Sequence, residues 1–123
     1  MKTEEKTISI NGVEYVRKDS IKNIAPLNKG MKYCIVRTYS AGVFAGYVKE
    51  RKGAEVLLLN SRRLWYWTGA CSLSQLATEG TKKPTECKFA VEVPETELTN
   101  AIEIIPCSAE AKENINSVAV WKS

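Results

Sequence analysis

Between residues 32 and 67 the chain never stays in one regular pattern for long. "KYCIVRTY" gives way to Ser40-Ala41-Gly42, "VFAGYVKE" to "RKGA", and "EVLLLN" to Ser61 before "RRLWYW". Each run is rich in β-branched and aromatic residues, and each break carries turn chemistry. Consecutive short strands of this kind form an antiparallel meander. Gly46, inside the second run, predicts a bulge or a close backbone approach.

The Thr68-Gly69-Ala70 break ends the strand pattern. Ser72-Leu73-Ser74-Gln75 then has the capping-box spacing, with Ser72 as N-cap and Gln75 at N3. Leu73, Leu76 and Ala77 follow at helical spacing, and Gly80 is a natural stop. "CKFAVEV" reads as a strand ended by Pro94, and "LTNAIEII" as another ended by Pro106. Ser108 caps a last short helix over "AEAKENI". The expected fold is mainly β (α+β): a small antiparallel, barrel-like sheet of about six strands with two short helices, curled to protect its edges.

Ahead of this domain, "TISINGVEYVRK" alternates about Asn11-Gly12, the preferred pair for a two-residue hairpin turn. A lone hairpin is marginal. Residues 1–30 therefore read as an N-terminal hairpin and connector, and residues 31–123 as the main domain.

Composition narrows the chemistry. The sequence has no histidine, which excludes Ser-His-Asp, Cys-His and H-E-x-x-H sites. No P-loop or G-x-G-x-x-G occurs, and the acids lie in contexts such as "VPETEL" that form no convincing catalytic pair. An enzyme is not expected, and no cofactor is implied. Cys34, Cys71, Cys87 and Cys107 are widely and irregularly spaced, so structural thiols are expected and a metal is not. The net charge of +4 is scattered among acids, which argues against nucleic acid as a partner. No apolar run is long enough to span a bilayer, and "MKTEEKTISI" lacks the apolar core of a signal peptide. A cytoplasmic protein is expected.

The segment "RRLWYWTGACSLSQLATEG" concentrates two of the three tryptophans and the only adjacent arginines. Strand alternation over 63–68 places Arg63, Trp65 and Trp67 on one face, with Leu64 and Tyr66 toward a core. An indole face can stack a base, and a guanidinium can grip a phosphate. Alternatively, the tryptophans fill space between sheet and helix, with Arg63 as a cation–π lid. The helix start at Ser72 and Ser74 offers N–H groups and hydroxyls to an anion, or serves ordinary capping. Arg37, Tyr39 and Ser40 form a third candidate group, at a turn where Ser40-Ala41-Gly42 lets the backbone approach a ligand, or simply makes a hairpin turn.

At "VRTYSAGVFAGYV", "RRLWYWTGACSLSQLATEGT" and "AIEIIPCS" the chain resembles a family of small bacteriophage proteins of unknown function. The resemblance implies a phage product acting in the cytoplasm of the bacterial host. With the candidate residues above, the expected function is non-enzymatic binding of a nucleotide-type small molecule, as in a sponge that sequesters a host immune signal. The alternative is an interaction or virion-assembly module that binds a host or phage protein. The many strand edges lead us to expect a homo-oligomer.

Overall fold

The computed structural model describes residues 28–122. The hairpin expected over residues 7–18 and most of the connector lie outside these residues. Asn28 and Met31 bridge a tight turn in which Lys29 and Gly30 both take positive φ. The chain then forms β1 (Lys32–Thr38), β2 (Val43–Lys52), β3 (Glu55–Tyr66), α1 (Leu73–Glu79) and a 3-10 turn (Pro84–Glu86). It continues as β4 (Lys88–Phe89), β5 (Val93–Leu98), β6 (Ala101–Pro106) and α2 (Ala109–Ser117).

The six strands make one antiparallel open sheet in the order β4-β3-β2-β1-β6, with β5 also paired to β3. The sheet is strongly curled. In the β5–β6 turn the Asn100 carbonyl accepts from Tyr39 N–H at 3.0 Å, and the adjoining Ala101 N–H donates to the Ala54 carbonyl at 2.9 Å. Tyr39 and Ala54 lie beyond opposite ends of β2, so β2 must bend to bring both to one turn. Register shifts along its ladder with β3 provide the bend. At Gly46 an added Cβ would lie 2.7 Å from Ser61 Cβ, so the close approach expected from the sequence is present.

Each face of the sheet carries a buried core cluster. Tyr33, Ile35, Ala45 and Leu64 join Phe89, Leu76 and Ile115 beneath the helices. Cys34, Val36, Phe44, Val56, Leu58 and Leu98 fill the inside of the curl. This accounts for the continuous apolar run of β1, whose alternate side chains serve two cores. Each such side chain contributes roughly 1.5–3 kcal/mol on burial. Both helices begin where their caps predict and α1 also ends so, whereas α2 runs two residues beyond "AEAKENI", to Ser117. Ser72 Oγ accepts from Gln75 N–H at 3.1 Å, Ser108 Oγ from Ala111 N–H at 2.9 Å, and Gly80 closes α1 with φ 79°.

Three expectations are corrected. "EVLLLN" and "SRRLWY" are one strand, β3, because Asn60 with φ 51° forms a bulge where a turn was expected. Between the pairs Tyr47↔Leu59 and Ala45↔Arg62, β3 has one residue more than β2. The strand expected to end at Pro94 breaks earlier, after Phe89, and β5 runs through Pro94. Pro94 lies between paired Val93 and Glu95 on a strand bonded along one side, where its missing N–H is accommodated. "LTNAIEII" is divided by the Thr99-Asn100 turn into the end of β5 and all of β6 but its last residue, Pro106.

Candidate functional site

The Asn60 bulge decides where the aromatic–arginine segment points. Downstream of it Ser61, Arg63 and Trp65 face the mouth of the curl, while Arg62 and Leu64 face the helices. A second register shift, between Leu64 and Tyr66 in the ladder with β4, reverses the alternation again. Tyr66 is consequently 52% exposed, whereas Trp67 packs against the helix-side core. The expected sharing of one face by Trp65 and Trp67 is thus corrected, as is the core position expected for Tyr66.

Arg63 and Trp65 border a groove of about 230 Å³ at the mouth of the curl. Phe44, Ser61 and Thr96 form its floor, with Ser61 Oγ and Thr96 Oγ1 hydrogen-bonded at 2.7 Å. Val91 and Val93 form the far rim. The Arg63 guanidinium lies over the Phe44 ring, 4.7 Å from its centroid, and no carboxylate among the described residues pairs with it. Trp65 is 60% exposed and meets Trp121 edge to face, with centroids 6.3 Å apart. The site therefore offers an apolar slot, a cation held flat by an aromatic ring, and an accessible indole.

The other candidates do not line this groove. Arg37 Nε donates to Glu103 Oε1 across the β1–β6 ladder at 3.0 Å. Tyr39 is 80% exposed, and Ser40 Oγ accepts from Asn100 Nδ2 at 3.2 Å. Their turn is held by Thr38, whose Oγ1 donates to the Gly42 carbonyl and accepts from Ala41 N–H. Ser72 Oγ is occupied by capping, and the Gln75 side chain takes the Cys71 N–H at 2.9 Å. Ser74 is exposed on α1, apart from the groove.

Sequence reasoning overlooked Arg62. Its side chain is buried, with the residue 4% exposed, and its guanidinium donates to four carbonyls. These are Ala90 O at 2.8 Å, Ile115 O at 2.8 Å, Val118 O at 2.9 Å and Phe89 O at 3.1 Å. Two of them cap the end of α2, which has no basic residue in its own last turn. A positive charge there meets the negative end of the helix dipole. Burial pulls the Arg62 pKa below the ordinary guanidinium value, yet the group stays charged near neutral pH. Alternation with Leu64 was the available signal, since it places Arg62 on the core side.

All four cysteines are free, with Cys71 exposed and Cys34, Cys87 and Cys107 buried. Burial pushes the Cys107 thiol up to about 12 and the Cys34 thiol to about 11, which suits inert packing groups. Among the described residues no cluster of three or more His, Cys, Asp or Glu could hold a metal. No helix among them is long and apolar enough to cross a membrane.

No curated protein and no solved structure matches the chain. A domain of unknown function (DUF6948) matches residues 31–115, well over half of the sequence. The chain belongs to the DUF6948 family.

Proposed function

We propose that this protein is a non-enzymatic binding module whose Arg63–Trp65 groove takes a nucleotide-type small molecule. The observation that carries the reading is an accessible indole beside a guanidinium held on Phe44, at the rim of an apolar slot. Trp65 supplies a surface for base stacking, and Arg63 supplies paired N–H donors for a phosphate. The phage-like sequence blocks favour a role in the cytoplasm of an infected bacterium. There, sequestration of a nucleotide immune signal requires tight binding and no turnover. Association of copies through the sheet edges fits the same reading.

The test is capture and release. Purified protein is incubated with lysates of bacteria whose nucleotide-based immune systems are active, then washed and heat-denatured. Released compounds are identified by mass spectrometry. An intact nucleotide is expected from wild type and not from the Arg63→Ala/Trp65→Ala variant. Equal release from both proteins, or no nucleotide from folded wild type, overturns the assignment. A second reading, strand addition by a partner protein, is favoured by β6. It ends the sheet path and exposes Ile102. Stoichiometric capture of one host or phage protein, abolished by a proline in β6, is its signature.

A further inference from the structure

The groove beside Trp65 has a neighbour. Residues 118–122 return alongside β4, where Val120 bridges Phe89 in parallel and Trp121 N–H donates to the Phe89 carbonyl at 2.9 Å. This backbone pairing fixes Trp121 beside Trp65, with interplanar angle 69°. Trp121 also borders a second concavity, of about 420 Å³, between the 3-10 turn and the C-terminal segment. Pro84, Thr85, Val120 and Lys122 are among its other lining residues. The two concavities thus meet at a pair of partly exposed indoles, one indole belonging to each.

Cations stand along the same path. Arg63 borders the first concavity, Lys122 borders the second, and Lys88 Nζ lies 5.5 Å from the centroid of the Trp121 ring. A mononucleotide would use only one side of the indole pair. We propose that the ligand carries two bases joined through phosphate, a dinucleotide, with one base beside Trp65 and the other beside Trp121. Arg63 and Lys88 then flank the phosphate-bearing link. This inference rests on the nucleotide reading of the Arg63–Trp65 groove and specifies its ligand class. Stacking on an aromatic side chain is tolerant of base identity, so the number of bases is the property this arrangement selects.

The experiment compares AMP with the 5′-phosphorylated dinucleotide pApA by calorimetric titration of the full chain. Wild type is expected to bind pApA about tenfold or more tightly than AMP, as one additional stacked base implies. Trp121→Ala is expected to bring pApA affinity down to about the AMP level, and Trp121→Phe to restore most of the preference. Melting curves establish that each variant is folded. If AMP and pApA bind wild type equally, or if folded Trp121→Ala keeps the preference, the two-base assignment is overturned and the single-site reading stands. If neither compound binds wild type, the nucleotide reading falls as well.

Discussion

Replacing Arg62 by methionine keeps much of the side-chain volume and removes the donors shared among four carbonyls. Two acceptors retain other donors, since Ile115 O also receives Val118 N–H at 3.3 Å and Phe89 O receives Trp121 N–H at 2.9 Å. Ala90 O and Val118 O lose the donor they have among the described residues. Leaving a buried polar group unpaired costs about 1–3 kcal/mol, so the two together cost roughly 2–6 kcal/mol. Removal of a desolvated charge offsets part of this. The net expected loss is about 3 kcal/mol, a large share of the roughly 5–15 kcal/mol that holds a typical domain folded. At roughly 4–8 °C per kcal/mol for a domain of this size, the melting point should fall by about 12–24 °C. Arg62→Lys should be nearly as damaging, because one ammonium cannot serve carbonyls from β4, the following loop and the end of α2. Arg63→Ala is the internal control, since its exposed cation–π contact is worth about 0.5–1 kcal/mol. The assay is urea unfolding followed by circular dichroism, with slopes compared to establish two-state behaviour. Stability of Arg62→Met within about 0.5 kcal/mol of wild type would refute the structural role of the four Arg62 hydrogen bonds and the capping of the α2 end by Arg62.

Two further outcomes follow from burial. The Cys34 and Cys107 thiols are raised in the folded state from 9.0 to about 11 and about 12. The unfolded chain therefore loses these protons first as pH rises, and their contribution to stability is full below about pH 9 and lost through about pH 11–12. The urea midpoint should decline between about pH 9 and 10.5, and a constant midpoint over that range contradicts the burial of these thiols. The tryptophans of β3 and its exit should separate by readout. Trp67→Ala should cost about 2–3 kcal/mol of stability through lost core packing, against less than about 1 kcal/mol for exposed Trp65→Ala. Equal costs in urea unfolding would contradict their placement on different faces.

What was legible in the sequence was local. Ser72, Ser108 and Gly80 act on neighbouring backbone groups, so their roles follow from spacing alone, and the turn at 40–42 follows likewise, whereas the turn read over 51–54 is confined to Gly53-Ala54 because Arg51 and Lys52 pair with β3. Gly46 announced a close approach without saying to what. The misreadings came from signals whose meaning depends on a distant partner. Asn60-Ser61 carries turn chemistry, but pairing to β2 on one side and β5 on the other holds the chain as a strand with a bulge. Pro94 ends a strand only where its N–H is needed, which depends on whether a neighbour lies on that side. Of the candidate residues, the groove unites Arg63 and Trp65, while Arg37, Tyr39, Ser40, Ser72 and Ser74 lie elsewhere. Trp121, far along the chain, joins Trp65 only through its backbone bond to Phe89.

The bulge also changes the parity of β3. Upstream of Asn60 the even-numbered Val56 and Leu58 face into the curl, whereas downstream the odd-numbered Ser61, Arg63 and Trp65 face its mouth. Regular β geometry at residue 60 would exchange the faces of everything through Tyr66. Arg63 would then slide beneath α2 into the place of Arg62, so the charged pair cannot distinguish the two parities. The Leu64–Trp65 step can, because exchange expels a buried leucine and forces a larger indole into its place. Native pairing is therefore selected by this step together with the left-handed Asn60, and the same selection sets the indole at the mouth of the curl.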